Sequence, residues 1–299
     1  MHALELSILL HRALEARVEH LAGLLADPAW PSDPERLHQV RVGSRRVRAV
    51  LDLVRPELYP GFRRQGRKLR ALTRALGLTR ELDVHSAWLE RLAVPGLATG
   101  SAREHALEVL DARRARARRA MARNLEGNPC RHLSDLLEVP SLPDPFVPGN
   151  LAQEVWDALD PMLEAAFSPL PGLLGREDPP ALHAARIRAK RLRYTLEILA
   201  AAFPAPPVEG LRQLRELQTA LGEHHDLAML EGFLQELQEG LAARARAKLA
   251  SGTLELLAYA GEARLGAFER FRAAAAAMPE EAFRASLREG LGLPGEGKP

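Results

Sequence analysis

The feature that most constrains this 299-residue chain is that it repeats itself at an offset of 145 residues. His38-Gln39-Val40-Arg41-Val42-Gly43-Ser44-Arg45-Arg46-Val47-Arg48 is answered by His183-Ala184-Ala185-Arg186-Ile187-Arg188-Ala189-Lys190-Arg191-Leu192-Arg193. Each copy opens on an aspartate suited to a helix N-cap and a proline at the first helical position, Asp33-Pro34 and Asp178-Pro179. The register continues without a gap: Leu69-Arg70 to Leu76-Gly77 matches Leu214-Arg215 to Leu221-Gly222, and Arg80-Glu81 stands against His225-Asp226. Two duplicated elements in one register predict two pseudo-symmetric lobes built from one helical unit.

Apolar residues recur at helical spacing almost throughout, β-branched residues are sparse, and no alternating segment of useful length appears, so the fold is expected to be all-α. Proline and glycine clusters divide the chain, and the richest of them, Val139 to Asn150, falls near its middle. The organisation read from this is a first helical repeat over residues 1–139, a proline-rich connector over 140–150, a second repeat over 151–290 and a flexible tail over 291–299. With 46% apolar residues the chain can bury an ordinary core. No uncharged apolar run approaches membrane-spanning length, and Glu5 and Glu15 interrupt the stretch where a signal peptide would lie. A cytoplasmic protein that does not enter a membrane is expected. Cys130 is the sole cysteine, which excludes an internal disulfide framework.

The formal charge of +2 conceals an asymmetry. Residues 1–149 hold 24 Lys and Arg against 18 Asp and Glu, whereas residues 150–299 hold 17 against 21. Only Lys68, Lys190, Lys248 and Lys298 are lysines, leaving 37 arginines. Codon bias would also produce this excess, so any functional reading of the arginines rests on their positions.

Those positions form stripes. His38, Arg41, Arg45 and Arg48 fall within an arc of about 80° on a helix, apart from the apolar arc of Leu37, Val40, Val47, Val50, Leu51 and Val54. His183, Arg186, Lys190 and Arg193 repeat the geometry. A stripe of one sign without an acid at i±3 or i±4 before Asp52 is self-repelling, and something outside the helix should compensate it. Two such stripes facing each other across a pseudo-twofold axis would make a basic channel that draws in a linear polyanion. Arg46 and Arg191 accompany the stripes; Arg67, Arg70 and Arg74 share a face in the first half, and Arg212 and Arg215 take corresponding places in the second. Arg116, Arg119 and Arg123 share one face of a further arginine-rich helix and are secondary candidates, while Arg113, Arg114 and Arg118 spread around it as on a solvated helix. Histidines among arginines should be kept neutral by like charge and protonated by a bound polyanion, so binding is expected to strengthen as pH falls below neutrality.

Other functions meet specific obstacles. Neighbours in Glu223-His224-His225-Asp226 diverge by about 100° on a helix and do not converge on a metal. No P-loop, His-Glu-x-x-His or Gly-x-Ser-x-Gly motif occurs, and no nucleophile with its base can be assembled, so neither cofactor nor catalysis is expected. A phosphate-ester or polyphosphate-processing enzyme would want clustered carboxylates for Mg²⁺, which the stripes lack. Aromatic residues, at 5%, are not interleaved with the stripes, which speaks against single-stranded nucleic acid. A scaffold for acidic protein partners stays open.

At these residues the sequence resembles the CHAD family, the conserved histidine α-helical domain. The likeness rests on His38 followed at helical spacing by Arg41, Arg45-Arg46 and Arg48, on Lys190-Arg191-Leu192-Arg193-Tyr194, and on Leu76-Gly77 followed by Arg80-Glu81-Leu82-Asp83-Val84. In this last element Glu81 stands where the family pattern has Asp. The resemblance implies two four-helix-type bundle lobes around a basic central cavity, and inorganic polyphosphate as the ligand of the stripe residues. It also implies a setting on polyphosphate granules or beside a polyphosphate-metabolising enzyme. The Glu-x-Glu-x-Lys motif of the triphosphatase domains often associated with this family does not occur here.

Overall fold

The computed structural model describes residues 2–27, 33–53, 60–93, 96–126 and 150–294. Cys130, Val54, the connector apart from Asn150 and the last five residues of the tail lie outside the described residues. The order is α1 (His2–Ala26), α2 (Pro34–Leu51), α3 (Pro60–Ala75), α4 (Gly77–Arg91), α5 (Leu97–Glu126), α6 (Leu151–Phe167), α7 (Leu170–Leu174), α8 (Pro179–Leu199), a 3₁₀ turn (Ala200–Ala202), α9 (Val208–Ala243), α10 (Ala247–Ala276) and α11 (Glu280–Gly290). The fold is all-α, with no strand among the described residues.

The duplicated segments become duplicated helices. Asp33 accepts hydrogen bonds from the backbone N–H of Glu35 (2.8 Å) and Arg36 (3.2 Å), and Asp178 accepts one from Ala181 (3.1 Å), so both caps form with proline at the first helical position. The apolar arc of α2 is buried at Leu37, Val40, Val47 and Val50, and that of α8 at Leu182, Ala185, Ala189 and Leu192. In the first half the chain turns at Leu76 between α3 and α4, whereas in the second α9 runs unbroken through the equivalent Leu221-Gly222. Even the contact beneath is repeated with different chemistry. Ser44 Oγ meets Thr73 Oγ1 at 3.0 Å between α2 and α3, and at the same offset Gln218 Nε2 donates to the Ala189 carbonyl at 2.8 Å between α9 and α8.

Packing unites what the repeat divides. One apolar cluster combines α1, α2 and α3 with α6, α8, α11 and the first part of α9, around Leu37, Val47, Leu72, Leu159, Leu192 and Leu217. A second combines α4 and α5 with α10 and the later part of α9, around Leu89, Leu110, Leu230 and Leu256. Each cluster therefore draws on both halves of the sequence. The path from α3 to α4, and α9 itself, cross from the first cluster to the second, and at the crossings stand the polar residues Arg80-Glu81 and His225-Asp226.

The second cluster depends on one close approach. A Cβ on Gly252 of α10 would lie 2.4 Å from the Ala98 carbonyl oxygen and 2.8 Å from the Ala102 side chain, both on α5. Because the obstacle includes backbone, Gly252→Ala should force α5 and α10 apart and cost roughly 1–3 kcal/mol. A fall in thermal midpoint is the expected result; an unchanged midpoint would show that the helices do not meet there.

Candidate functional site

The two stripes come together. Helices α2 and α8 pack against each other, and their basic side chains feel one another: Arg41 is surrounded by Arg45, Arg186 and Arg80, and Lys190 by Arg186, Arg45 and Arg41. Helices α4 and α9 complete the site with Arg80, Glu81, His225 and Asp226. Asp226 faces Arg186, Lys190, Arg41 and Arg80, with its Oδ1 3.6 Å from the Arg186 guanidinium. Glu81 faces Asp226 and Arg41. Five cations thus confront two carboxylates.

The helix backbones determine how closely these groups approach. The position of a Cβ on Gly222 is 3.7 Å from Arg186 Nε, so the Arg186 guanidinium lies against the side-chain-free face of α9. The histidines take corresponding places: His38 feels the charge of Arg80, and at the same offset His183 meets His225, with their Nδ1 atoms 3.1 Å apart and ring centroids 4.2 Å apart.

Burial and like charge act in one direction. Desolvation, then Arg45 and Arg186, bring the Arg41 guanidinium down to about 10, and desolvation with the neighbouring arginines brings Lys190 down to about 7. Burial lowers Arg186, His38 and His183, and takes His225 down to about 3. Burial also raises both carboxyls, Asp226 despite its cationic neighbours and Glu81 with a further rise from Asp226. The Nε atoms of Arg41, Arg48 and Arg186 and the Nδ1 of His38 are buried without a hydrogen-bond partner among the described residues. Unused donors in a desolvated cationic cluster suit phosphate oxygens.

The remaining candidates divide. Arg48 extends the cluster along α2, where Asp52 offers it a counter-charge and Arg70 and Arg74 of α3 act against it together with Arg45; those two and Arg67 are exposed. Arg193, its equivalent on α8, is occupied instead: Nε donates to Gln218 Oε1 at 2.8 Å, one terminal nitrogen pairs with Glu197, and the guanidinium lies 4.5 Å over the Tyr194 ring. Arg46 is exposed and faces Arg17 of α1, away from the stripe, and Arg191 is exposed off the stripe. Arg212 is held on the surface between Glu209 and Glu216, and Arg215 donates to the Leu211 carbonyl at 2.9 Å. Arg116, Arg119 and Arg123 are exposed along α5. Their neighbours are not the solvated set expected from sequence. Arg114 binds the buried Asp83 of α4 at 2.8 Å with Arg118 at 3.7 Å, and Arg113 binds Glu236 of α9, so these three tie α5 to its neighbours. Arg80, Glu81, His225 and Asp226 were missing from the sequence-derived site, although the repeat had aligned them. Along Glu223-His224-His225-Asp226 the side chains part: Glu223 pairs with Arg270, His224 with Glu177, and His225 with His183.

The sequence matches the CHAD domain family over residues 9–235. The chain belongs to this family. Its fold is shared by the crystal structure of the CHAD domain from the plant Ricinus communis, with a TM-score of 0.69 at 24% identity over 92% of each chain. It is shared too by PptA from Streptomyces chartreusis, with a TM-score of 0.63 at 18% identity over 89% of this chain and 97% of that one. An uncharacterized protein of Mycobacterium tuberculosis, MT2285, is 29% identical over 255 residues, which is 78% of this chain and 46% of that protein. This CHAD chain therefore spans about half the length of the curated relative it matches.

A cluster of this kind stores repulsion in the ligand-free protein. Arg41→Met keeps the apolar stem and removes one desolvated charge, so it should stabilise the protein at low salt by about 1–2 kcal/mol, a rise in thermal midpoint of roughly 2–3 °C, with a smaller gain at high salt. A lower midpoint would show that Asp226 and Glu81 already neutralise the cluster.

Proposed function

We propose that this CHAD protein binds inorganic polyphosphate, without catalysing a reaction on it, in a basic channel between α2 and α8. The observation that carries this reading is the convergence of Arg41 and Arg45 with Arg186 and Lys190 from the two halves of the repeat, desolvated and short of counter-charge. A linear polyanion supplies that charge along a line, and continuing past Arg48 toward Arg70 and Arg74 it meets further cations. At the Arg193 end of the α8 stripe Glu197 neutralises the charge, whereas at the equivalent end of α2 Asp52 beside Arg48 is offset by Arg70 and Arg74, so the net positive field extends toward the first half. His38 and His183 complete the contact set.

Recognition of this kind is electrostatic and independent of sequence. The ring of Tyr194, next to the α8 stripe, is buried under Arg193 and offers no stacking surface, which favours polyphosphate over single-stranded nucleic acid. The carboxylates present, Glu81 and Asp226, are engaged with cations, which favours holding an anion over turning it over. We place the protein in the cytoplasm, on polyphosphate granules or beside an enzyme of polyphosphate metabolism. No described helix is long and apolar enough to cross a membrane.

Titration of the protein with long-chain polyphosphate, single-stranded DNA and duplex DNA at low and moderate salt tests the reading. Polyphosphate should bind well above either DNA, with affinity falling steeply as salt rises. Neutralising Arg41, Arg45, Arg186 and Lys190 together should weaken it at least about a hundredfold with helicity retained. Equal binding of all three polymers, or unchanged affinity of the variant, would leave only a generic basic surface.

A further inference from the structure

Where the second half of the repeat puts a core leucine, Leu230, the first half puts His85. Both are buried, at 1% and 2% exposure, but only the histidine has polar atoms to satisfy. The backbone of Asp226 can answer at most one of its two ring nitrogens, and neither completes a hydrogen bond among the described residues. Leucine would fill such a place without that cost. His85 instead lines a cavity of about 600 Å³ between α4, α5 and α9, a size usual for small-molecule sites. We propose that this cavity binds a small uncharged aromatic molecule carrying an N–H or O–H group that donates a hydrogen bond to His85.

The walls suit such an occupant. Leu82, Ala117 and Phe233 are buried apolar residues of the lining. The Phe233 ring is flanked by His85, with centroids 6.4 Å apart and planes within 25°, and by the Arg113 guanidinium 5.0 Å from its centroid. Small residues keep the space open, Ala117 and Ala120 on α5 and Ala228 and Gly232 on α9. A Cβ on Gly232 would meet nothing within 4 Å, so packing does not call for glycine at that point of the helix, where it is disfavoured relative to alanine. At the mouth Leu78 and Met229 are 56% and 40% exposed. The residue that answers Leu78 in the second half is Glu223, paired with Arg270, so the repeat does not impose an apolar side chain there.

Charge decides what kind of molecule enters. Arg113 and Arg116 are matched around the cavity by Glu81 and Glu236, and Arg113 pairs with Glu236 at 2.8 Å, so no net charge draws an ion there. Glu81 also faces Arg41 and Asp226, which sets the cavity beside the basic channel but gives it the opposite preference. Burial takes His85 down to about 4, so near neutral pH the ring is uncharged, with one N–H and one acceptor nitrogen. The Asp226 backbone favours the N–H on the side facing it. The acceptor nitrogen is left for a donor on the ligand, and the apolar walls for its ring.

Indole, titrated into the isotope-labelled full chain and followed by amide chemical shifts, is compared with N-methylindole, which keeps the ring and lacks the N–H. Wild type should bind indole saturably with a Kd of roughly 0.1–1 mM, with shifts centred on α4, α5 and α9 around His85. N-methylindole should bind about fivefold to tenfold more weakly. His85→Leu should unfold no earlier than wild type and lose the preference between the two probes. Gly232→Leu places its side chain in open space at the cavity wall, so it should fold normally and weaken indole about tenfold or more, with polyphosphate affinity unchanged. Absence of saturable indole binding, equal affinity of wild type for the two probes, or undiminished indole affinity in Gly232→Leu would overturn the proposal, and none of these results bears on the polyphosphate channel.

Discussion

Like charges held out of water between α2 and α8 are the constraint on which the rest of the structure turns. Two unit charges about 8 Å apart repel by about 2 kcal/mol at an effective dielectric of 20, and this site gathers Arg41, Arg45, Arg186, Lys190 and Arg80 against Asp226 and Glu81. Left to themselves, the helices would separate or the side chains would turn outward. They are kept in place because the opposite face of each is committed to a core, at Leu37, Val40, Val47 and Val50 on α2 and at Leu182, Ala185, Ala189 and Leu192 on α8. Hydrophobic burial thus maintains an electrostatic arrangement that is unfavourable by itself and that the proposed anion would relieve.

The way the cores are divided explains where the charges sit. Both apolar clusters draw on both halves of the sequence, so the repeats are interleaved in packing. Where the chain passes from one cluster to the other, at Arg80-Glu81 and His225-Asp226, apolar packing is interrupted and polar groups can be accommodated. Placing the charged groups at that junction gives them rigid support from both sides without opening a core.

Much of this was legible in the sequence because it is local. The caps Asp33 and Asp178, the separation of apolar and basic arcs, and the pairing of His38 with His183 follow from helical periodicity and the 145-residue register alone. What periodicity could not show is which arginines find partners at home. Arg212 lies three and four residues from Glu209 and Glu216, a pattern visible in sequence but outweighed by its place in the repeat. Arg193 donates a hydrogen bond to Gln218 of α9, and Arg113 and Arg114 reach Glu236 and Asp83 on other helices. Those assignments depend on tertiary contacts. The counter-ions Glu81 and Asp226 were aligned by the repeat yet missed, because a search for positive charge passes over the acids that position it.

A crystal structure of the protein grown with long-chain polyphosphate tests the central claim most directly. The account expects phosphate density between α2 and α8, with oxygens within hydrogen-bonding distance of Arg41, Arg45, Arg186 and Lys190. Density confined to another basic face, such as Arg116, Arg119 and Arg123 on α5, with the α2–α8 cluster unchanged, would contradict it.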